Sequence, residues 1–373
     1  MSHSTPAATP GATTMRATAL GRLAELLDRS PDPAGDGHAR ALETELADRF
    51  EAAHAVVLSS GTAALHVALG ASGIGDGDEV LVPGASVVMT LVAIRLTGAM
   101  PVLVDSACGD LDFDDLAAKT TVRTKAVLPV HLAGRCADLA RLTAYCADRG
   151  LRLIEDACQA QGTQYDGRWA GTFGDAGCFS TKDGKLLWSG EGGYLLTDDA
   201  GLAARARSFA AHGFLPAPDQ PAGSRLGHNY RMPEPVAIIA RGNLARFDEL
   251  LALRRRQTRH LLDQLTDAPG LTVIPSDGRH AWNGYAPLLR VELDRPREFC
   301  ARLAERGVPN SAGTYGLTTA DRLPSLKDLA LSACPAARAD LDTTLAVVVH
   351  EADTDARLDE MARIITEEAR QWR

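Results

Sequence analysis

The stretch "AVVLSSGTAALHVALGAS" (residues 55–72) joins a short apolar run to a helical pattern, and this junction decides the fold class. Its first six residues, "AVVLSS", predict a buried β-strand. The strand leads directly into a predicted helix, since Leu65, Ala68 and Leu69 recur at helical spacing. A strand that feeds a helix in this way is typical of an α/β protein.

The junction itself carries Ser60, Gly61 and Thr62. Free backbone N–H groups at the start of a helix favour an anion, and glycine lets the backbone approach a phosphate. Thr62 adds a hydroxyl group. An ordinary helix N-cap has the same residues, so this segment alone leaves both interpretations open.

Six more short apolar runs follow before residue 215, each bounded by turn residues. They are "EVLVPG" (79–84), "PVLVDS" (101–106), "TKAVLPVHL" (124–132), "LRLIEDA" (151–157), "AGCFST" (176–181) and "GYLLTDD" (193–199). A helical pattern from Asp138 to Arg149 separates the third run from the fourth. Strands that alternate with helices predict a mainly parallel sheet covered on both faces.

The pattern changes after about residue 230. One long helical stretch at about 233–265 begins with prolines. We predict that it connects a large domain to a smaller one. At 373 residues the chain is long enough for two domains. We predict a disordered N-terminus at 1–14, a large domain at 15–250 and a small C-terminal domain at 251–373. In the small domain the pattern predicts a strand at 285–293 and helices at 297–307 and 355–372.

Composition excludes several classes of protein. A formal net charge of −9 and a pI near 5.6 argue against a nucleic-acid partner, because such binding requires clustered cations. No apolar run approaches the roughly 20 residues of a membrane helix, and the N-terminus lacks the build of a signal peptide. The seven cysteines form no CxxC pair, as expected of reduced thiols. We therefore expect a cytoplasmic protein without a membrane partner.

Two further segments carry chemistry. In "IEDACQ" (154–159), Asp156 follows an apolar strand, and ligands of open parallel sheets bind at the carboxyl ends of strands. Its carboxylate could hold a cationic ring nitrogen, a metal or a helix N-terminus. In "FSTKDGKLLWSGEGG" (179–193), Lys182 and Lys185 precede a tight glycine turn. A lysine enclosed by small residues loses hydration, and its neutral amine becomes available as a nucleophile or base.

Several segments, in their order and spacing, resemble the pyridoxal-phosphate-dependent sugar aminotransferases of the DegT/DnrJ/EryC1/StrS family. They are "SSGTAALHVALGASGIGDGDEVLVPG", "TKAVLPVHLAGRCAD", "IEDACQAQG", "GDAGCFSTKDGKLLWSGEGG" and "GHNYRM". The resemblance runs from about residue 35 to 250 and continues more weakly to the end. It implies the fold type I of pyridoxal-phosphate enzymes, which is aspartate aminotransferase-like. That fold has a large domain with a mainly parallel mixed sheet and a smaller C-terminal α+β domain.

The resemblance also distinguishes the two lysines. The family pattern is Phe-Ser-Phe, three residues, the Schiff-base lysine, four residues and then Gly-Glu-Gly-Gly. Counted on this sequence, Lys185 takes the covalent position, and Lys182 falls in the variable gap as a solvated or rim lysine. Pyridoxal 5'-phosphate is therefore the implied cofactor, covalent to Lys185, and pyridoxamine 5'-phosphate is the intermediate form that carries the amino group.

Other roles carry over by position. The resemblance implies that Asp156 pairs with the protonated pyridine nitrogen and that Gln159 lies beside the ring. Gly61, Thr62 and Ser180 are implied to hold the phosphate. Asn229 in "GHNYRM" matches an asparagine that reaches the phosphate of the neighbouring subunit, which implies a homodimer with shared active sites. No metal ligand is expected.

The implied reaction is a two-stage transamination. L-glutamate or L-glutamine is the expected amino donor, and Lys185 moves the proton between the donor's α carbon and the cofactor. By this resemblance the acceptor is a ketone on a nucleotide-linked keto-sugar or on a keto-cyclitol. Its amination would serve amino-sugar or aminocyclitol natural-product biosynthesis, including antibiotics.

Three positions depart from the family pattern. Val87 replaces an aromatic ring that usually stacks on the cofactor, so an aliphatic contact must cover that face. Thr181 replaces the second aromatic of Phe-Ser-Phe. Trp188 stands where a small or hydroxylated residue is more common, and it fits either a substrate wall or subunit packing. His131 in "PVHLAG" either touches substrate or braces the sheet end, and Tyr315 in "AGTYGL" lies in a loop expected near the acceptor.

Two rival functions follow from the same residues. A dehydratase-like enzyme of the same superfamily would carry histidine in place of the Schiff-base lysine, and Lys185 argues against it. A non-catalytic, cofactor-binding homologue or regulatory partner is the second, because Val87 removes the stacking ring. Covalent attachment of the cofactor and its response to an amino donor separate these hypotheses.

Overall fold

Two β-sheets, each with its own helices, organise the chain. The computed structural model describes residues 10–28, 37–107, 110–275, 279–312, 317–329 and 331–372. The larger sheet uses strands from the first 200 residues, and the smaller sheet uses strands after residue 270. This arrangement confirms the predicted α/β class with a second, smaller α+β part.

The helices of the described ranges cover the sheets and connect their strands. They are α1 (Pro10–Asp28), α2 (Gly37–Phe50), α3 (Gly61–Ala71), α4 (Val88–Leu96), α5 (Phe113–Lys119), α6 (Leu139–Arg149), α7 (Ala200–Ala210), α8 (Glu234–Leu244), α9 (Phe247–Gln264), α10 (Pro296–Glu305), α11 (Pro335–Thr343) and α12 (Asp355–Gln371). Short 3₁₀ turns occur at Leu132–Gly134, Ala320–Arg322 and Pro324–Leu329. None of the helices in these ranges has the length and apolarity needed to cross a membrane.

The strands are mostly four or five residues long. They are β1 (His54–Leu58), β2 (Glu79–Pro83), β3 (Met100–Val104), β4 (Ser106–Ala107), β5 (Asp110–Leu111), β6 (Thr124–Val127), β7 (Arg152–Asp156), β8 (Gln164–Tyr165), β9 (Arg168–Trp169), β10 (Ala176–Ser180), β11 (Gly193–Thr197), β12 (Leu271–Val273), β13 (His280–Ala281), β14 (Leu288–Val291), β15 (Asn310–Ala312) and β16 (Thr344–Val347).

The larger sheet has seven strands in the order β1-β11-β10-β7-β6-β2-β3. The five strands from β10 to β3 are parallel, whereas β11 runs antiparallel to both β1 and β10. Apolar clusters lie on both faces, as a parallel sheet covered by helices requires. Because β7 and β10 are parallel neighbours, with Asp156 opposite Cys178, their carboxyl ends meet at one edge of the sheet.

The smaller sheet has four antiparallel strands in the order β12-β14-β16-β15. Its core includes side chains from α10 and α12, among them Phe299 and Met361. Helix α9 reaches both cores, since Phe247 and Leu250 pack beneath the larger sheet and Leu261 packs beneath the smaller one. The predicted boundary at residue 250 therefore falls inside a helix that both parts share.

Three predicted elements differ from the observed ones. Residues 10–14, predicted as part of a disordered terminus, are the first residues of α1. The single helix predicted at about 233–265 is two helices, because Arg246 leaves helical geometry with φ −113° and ψ 19°. Its guanidinium binds both Glu249 and Glu351, which fixes the break between α8 and α9. The strand predicted at 124–132 ends at Val127, four residues before the buried His131.

Candidate active site

The carboxylate of Asp156 lies buried at the carboxyl end of β7. Its Oδ2 accepts a hydrogen bond of 2.6 Å from Thr90 Oγ1 on α4, and its Oδ1 accepts one of 3.2 Å from the backbone N–H of Cys158. Both donors are neutral. Within the described ranges no lysine, arginine or histidine forms an ion pair with Asp156, so this buried negative charge is oriented and suited to a cationic ligand.

The N-terminus of α3 lies against the end of β10. Ser60 is the N-cap, and its side chain accepts a 3.0 Å hydrogen bond from the N–H of Ala63. This leaves the N–H groups of Gly61 and Thr62, which have no intrahelical acceptor, at the mouth of the helix. A Cβ atom at Gly61 would lie 2.8 Å from Ser180 Cβ and 2.9 Å from the sulfur of Cys158. Only glycine permits this approach, which places Ser180 beside the helix N-terminus.

Lys185 and Lys182 have different environments. Lys185 is half-buried, whereas Lys182 is exposed. The loop that carries them is closed by backbone hydrogen bonds, from Thr181 N to Gly192 O at 2.9 Å and from Lys185 N to Lys182 O at 3.1 Å. The amine of Lys185 points toward the smaller sheet and donates a 3.2 Å hydrogen bond to the hydroxyl of Tyr285.

The thiol of Cys158 marks the centre of the site. Burial raises the pKa of this thiol, and the negative charge of Asp156 raises it further, whereas the positive charge of Lys185 acts in the opposite direction. Gly61 lies against both Cys158 and Ser180, so this part of the structure combines the buried carboxylate of Asp156, a helix N-terminus and a serine hydroxyl. Lys185 follows five residues after that serine in the chain.

This set fits a cofactor with a phosphate, a cationic aromatic nitrogen and an electrophilic carbon. The helix N-terminus with its side-chain-free glycine suits the phosphate, and the buried Asp156 suits the ring nitrogen. Gln159 lies alongside, with its side-chain Oε1 accepting a 2.7 Å hydrogen bond from Ala133 N. Pyridoxal 5'-phosphate has all three features, so the residues present agree with the cofactor implied by the sequence.

The three departures from the family pattern lie in different surroundings. Val87 is the N-cap residue of α4 and packs, half-buried, against the main core. Thr181 is buried inside the lysine loop, where its hydroxyl accepts a 2.7 Å hydrogen bond from Ser189 Oγ. Trp188 is half-exposed and lines a cavity of about 390 Å³ together with Lys185. Of the three, Trp188 thus shares an open space with the lysine, whereas the Thr181 side chain stabilises the loop from within.

His131 lies where a bracing role is possible. It is fully buried, and its Nε2 is 2.9 Å from Oε2 of the equally buried Glu155. The carboxylate of Glu155 also accepts hydrogen bonds from three backbone N–H groups in the loop at 171–174. These contacts tie β7 to that loop and favour the bracing interpretation of His131 over contact with the substrate. Tyr315 lies outside the described residues.

The segment around Asn229 runs along the edge strand of the larger sheet. Asn229 is exposed and forms a bridge with Ala211, while Arg231 forms a bridge with Leu58 of β1. The backbone N–H of Ser59 donates a 2.8 Å hydrogen bond to the carbonyl of Tyr230. The asparagine side chain is therefore presented at the surface from a fixed backbone.

A buried histidine supports this segment from behind. His66 on α3 is 2% exposed and lies within hydrogen-bond distance of Tyr230, 3.2 Å from Nδ1 to the hydroxyl. Burial lowers the pKa of His66 to about 4, and the positive charges of His228 and Arg225 act in the same direction. The folded protein consequently holds His66 in its neutral form at pH values where an exposed histidine is protonated.

We expect the free energy of unfolding to decrease as pH falls from about 6.5 to about 4, because the unfolded chain then binds a proton at His66 that the folded chain excludes. A His66→Gln protein should lose less stability over that interval, whatever its stability at pH 7. Urea unfolding of both proteins between pH 7.5 and 4 measures the two slopes. Parallel curves below pH 6.5 would show that His66 does not titrate in this way.

Sequence reasoning missed several residues that shape the site. Thr90 is a polar residue within the apolar pattern of α4, and a polar residue at such a position indicates a buried hydrogen-bond partner. Cys158 lies between two assigned residues and could also have been considered. Asn283 and Tyr285 gave no local signal, since they are about 100 residues from the lysine loop in the chain. No cluster of three or more histidine, cysteine, aspartate or glutamate side chains suited to a metal ion occurs in the described ranges.

Comparison with known proteins gives consistent results. The sequence model of the DegT/DnrJ/EryC1/StrS aminotransferase family matches residues 17–366. The GDP-perosamine synthase of Caulobacter vibrioides is 40% identical over 266 residues, which cover 69% of this chain and 70% of that protein. The L-glutamine:2-deoxy-scyllo-inosose aminotransferase of Micromonospora echinospora is 38% identical over 267 residues, covering 68% of this chain and 63% of that protein.

Solved structures agree with these sequence matches. The X-ray structure of the aminotransferase from Psychrobacter cryohalolentis superimposes with a TM-score of 0.86 at 27% sequence identity. The match covers 96% of each chain. Similarity over this length includes both sheets.

Proposed function

This chain belongs to the DegT/DnrJ/EryC1/StrS aminotransferase family, and on that basis we propose that it transfers an amino group from L-glutamate or L-glutamine to a ketone. The members of this family are pyridoxal-phosphate-dependent aminotransferases. The acceptor ketone belongs either to a nucleotide-linked keto-sugar or to a keto-cyclitol. The relatives support both alternatives, because one is named for a GDP-linked sugar and another for an inosose.

The observation that carries the proposal is the convergence of four groups around Cys158. The buried carboxylate, the helix N-terminus and the pair of serine hydroxyl and lysine amine come from three separate segments of the chain. When bound, pyridoxal 5'-phosphate supplies the electron sink and the carrier for the amino group. Each of the four groups matches one chemical feature of that cofactor.

The binding roles follow from these positions. Gly61 and Thr62 offer backbone N–H groups to the phosphate, and Ser180 adds its hydroxyl. Asp156 pairs with the protonated ring nitrogen, and Thr90 keeps the carboxylate aimed. Gln159 lies beside the ring, held by its hydrogen bond to Ala133. Val87 gives one face of the ring an aliphatic contact in place of an aromatic one.

Lys185 has two roles in the proposal. Its Nζ is the covalent attachment point of the cofactor, and in its free state the same atom acts as general base and acid. In the first half of the reaction Nζ would remove the proton from the α carbon of the amino donor and pass it to the bound cofactor. In the second half it would take a proton back from the cofactor and deliver it to the carbon of the acceptor that gains nitrogen. The closed loop from Thr181 to Gly192 holds the lysine backbone in place for both steps.

We further assign the active site to a homodimer. Asn229 is exposed on a segment whose backbone is fixed against β1, so its amide is free to meet a second subunit. The proposal gives Asn229 the phosphate of the neighbouring subunit as its partner. Symmetric dimers are also the commonest oligomers of soluble proteins.

Trp188 is the proposed wall of the acceptor site. Its side chain lines the cavity of about 390 Å³ that also contains Lys185, Gln257 and His350. A large aromatic surface suits stacking against a sugar or cyclitol ring. Val87 leaves more space on the cofactor than an aromatic ring would, and together these residues select the acceptor.

The test has a donor stage and an acceptor stage. Purified protein loaded with pyridoxal 5'-phosphate should show a visible absorption band that L-glutamate or L-glutamine abolishes and D-glutamate leaves intact. After removal of the donor, a nucleotide-linked keto-sugar, the same sugar without its nucleotide, and a keto-cyclitol are added separately. Recovery of the band, with an aminated product in the mass spectrum, identifies the acceptor class. If neither L-donor changes the band, the proposed donor is wrong.

A further inference from the structure

We propose that Tyr285 is a positioning residue for Lys185, whose amine it holds whenever that amine is not bonded to the cofactor. The inference rests on the role proposed above for Lys185. Tyr285 approaches the lysine from the smaller sheet, three residues before β14, and is half-buried. Nothing in the sequence pattern of either segment connects these two residues.

Two contacts join the side chains. Lys185 Nζ donates a hydrogen bond of 3.2 Å to the Tyr285 hydroxyl, and the same nitrogen lies 5.0 Å from the centroid of the tyrosine ring. A cationic amine gains from both the hydroxyl oxygen and the negative face of the ring. The tyrosine therefore offers the lysine amine a resting position at a fixed distance from the site.

Asn283 sets the position of Tyr285 relative to the larger sheet. Asn283 is 1% exposed, and its Nδ2 donates hydrogen bonds of 2.8 and 2.9 Å to the carbonyl groups of Gln159 and Gln161. Its Oδ1 accepts a 2.9 Å hydrogen bond from the backbone N–H of Tyr285. One buried side chain thus ties the tyrosine backbone to the segment that follows Asp156.

The ring of Tyr285 is also held by packing. It lies against a small apolar cluster that includes Ala133, Ala286 and Leu288. Ala133 belongs to the larger part of the chain, and its backbone N–H binds the side chain of Gln159. The tyrosine is therefore supported from both parts of the protein and has little freedom to move away from the lysine.

The consequence concerns the free lysine amine. A lysine side chain has several rotatable bonds, so an amine that is not held samples many positions away from the reacting carbon. Covalent attachment to the cofactor removes the hydrogen bond to Tyr285, and release of the amine restores it. Tyr285 therefore acts in the stage of the reaction in which the amine of Lys185 is free and transfers a proton.

The first test uses cofactor-free protein and chemical labelling. Lys185 and Lys182 lie three residues apart, so one peptide reports both after brief reaction with acetic anhydride. In Tyr285→Phe the labelling of Lys185 relative to Lys182 should rise about three- to tenfold, the effect expected from loss of one hydrogen bond. Tyr145→Phe is the matched control, because it removes a hydroxyl that bonds Thr120 on the far side of the sheet. An unchanged labelling ratio in Tyr285→Phe would overturn the proposal.

The second test uses the loaded enzyme. Tyr285→Phe keeps the ring and its packing, so we expect KM for the donor to stay within about twofold while kcat falls about tenfold. The isotope effect with donor deuterated at the α carbon should increase, because proton transfer becomes more strongly rate-limiting. A change in KM alone, or an isotope effect equal to that of the parent, contradicts a positioning role.

These outcomes separate the inference from the proposed function. If Lys185→Ala still binds the cofactor covalently, the role of Lys185 itself fails. If Lys185→Ala loses the covalent cofactor while Tyr285→Phe matches the parent in labelling and kcat, the role of Lys185 stands and only the inference about Tyr285 fails.

Discussion

Lys185→Ala protein is expected to lose covalent attachment of pyridoxal 5'-phosphate, and amino transfer is expected to fall by about 10⁴-fold or more. The variant lacks both the amine that anchors the cofactor and the group that moves the proton. Lys185 is half-buried and lines the cavity that Trp188 also lines, whereas Lys182 is exposed, so we expect no other amine of the lysine loop to take its position. Folding should be preserved, because the loop is closed by backbone hydrogen bonds that alanine retains.

The measurement is borohydride reduction of the loaded protein followed by peptide mass spectrometry. In the parent protein the cofactor mass should appear on Lys185. Lys182→Ala is the matched control, since Lys182 is exposed in the same loop, and it should keep both the adduct and the activity. An adduct on Lys182, or covalent cofactor in Lys185→Ala, would refute the assignment. Addition of methylamine to Lys185→Ala should restore part of the proton transfer, because a small amine can occupy the vacated volume.

The second large effect is expected at Asp156. Asp156→Asn keeps the shape of the side chain and a hydrogen-bond partner for Thr90, but it removes the negative charge. Without that charge the ring nitrogen is no longer held protonated, and the cofactor becomes a weaker electron sink. We expect kcat to fall about 10²- to 10³-fold, as for removal of one preorganised electrostatic contact in other enzymes.

The affinity for the cofactor should fall by a smaller factor than kcat in Asp156→Asn. The proposed phosphate contacts come from Gly61, Thr62 and Ser180, and the substitution leaves these residues unchanged. Titration with pyridoxal 5'-phosphate and steady-state kinetics measure the two effects separately. Thr90→Val is the companion variant, because it removes the 2.6 Å hydrogen bond and leaves the charge, and its loss in kcat should be about tenfold or less. Activity of Asp156→Asn within tenfold of the parent would rule out the pairing.

Several features of the fold could be predicted because they depend on neighbours in the chain. The apolar runs at β1, β2, β7, β10 and β11 were visible as strands, since a buried parallel strand is a short continuous run of apolar residues. Asp156 could be placed at an edge of the sheet for the same reason. The N-cap at Ser60 follows from a hydroxyl residue at the point where helical spacing begins.

Other features could not be read locally. The break between α8 and α9 depends on Arg246 binding Glu351, a residue 105 positions away. The pattern of 232–265 is helical throughout, so no local signal opposed a single helix. His131 is a similar case, because its bracing role depends on Glu155 and on the loop that Glu155 caps. Thr181, which replaces an aromatic residue of the family pattern, is a further case, because its hydroxyl accepts a hydrogen bond from Ser189 within the loop.

The sequence by itself determined the class of the fold, because strand periodicity and glycine turns are properties of adjacent residues, and its resemblance to a family predicted which of two lysines is placed to act. Only the tertiary structure decided what surrounds that lysine. The approach of Gly61 to Ser180, the orientation of Asp156 by Thr90 and the contact of Lys185 with Tyr285 each join segments that lie far apart in the chain. Such contacts are set by how the two sheets and their helices pack, and packing is a property of the whole folded chain.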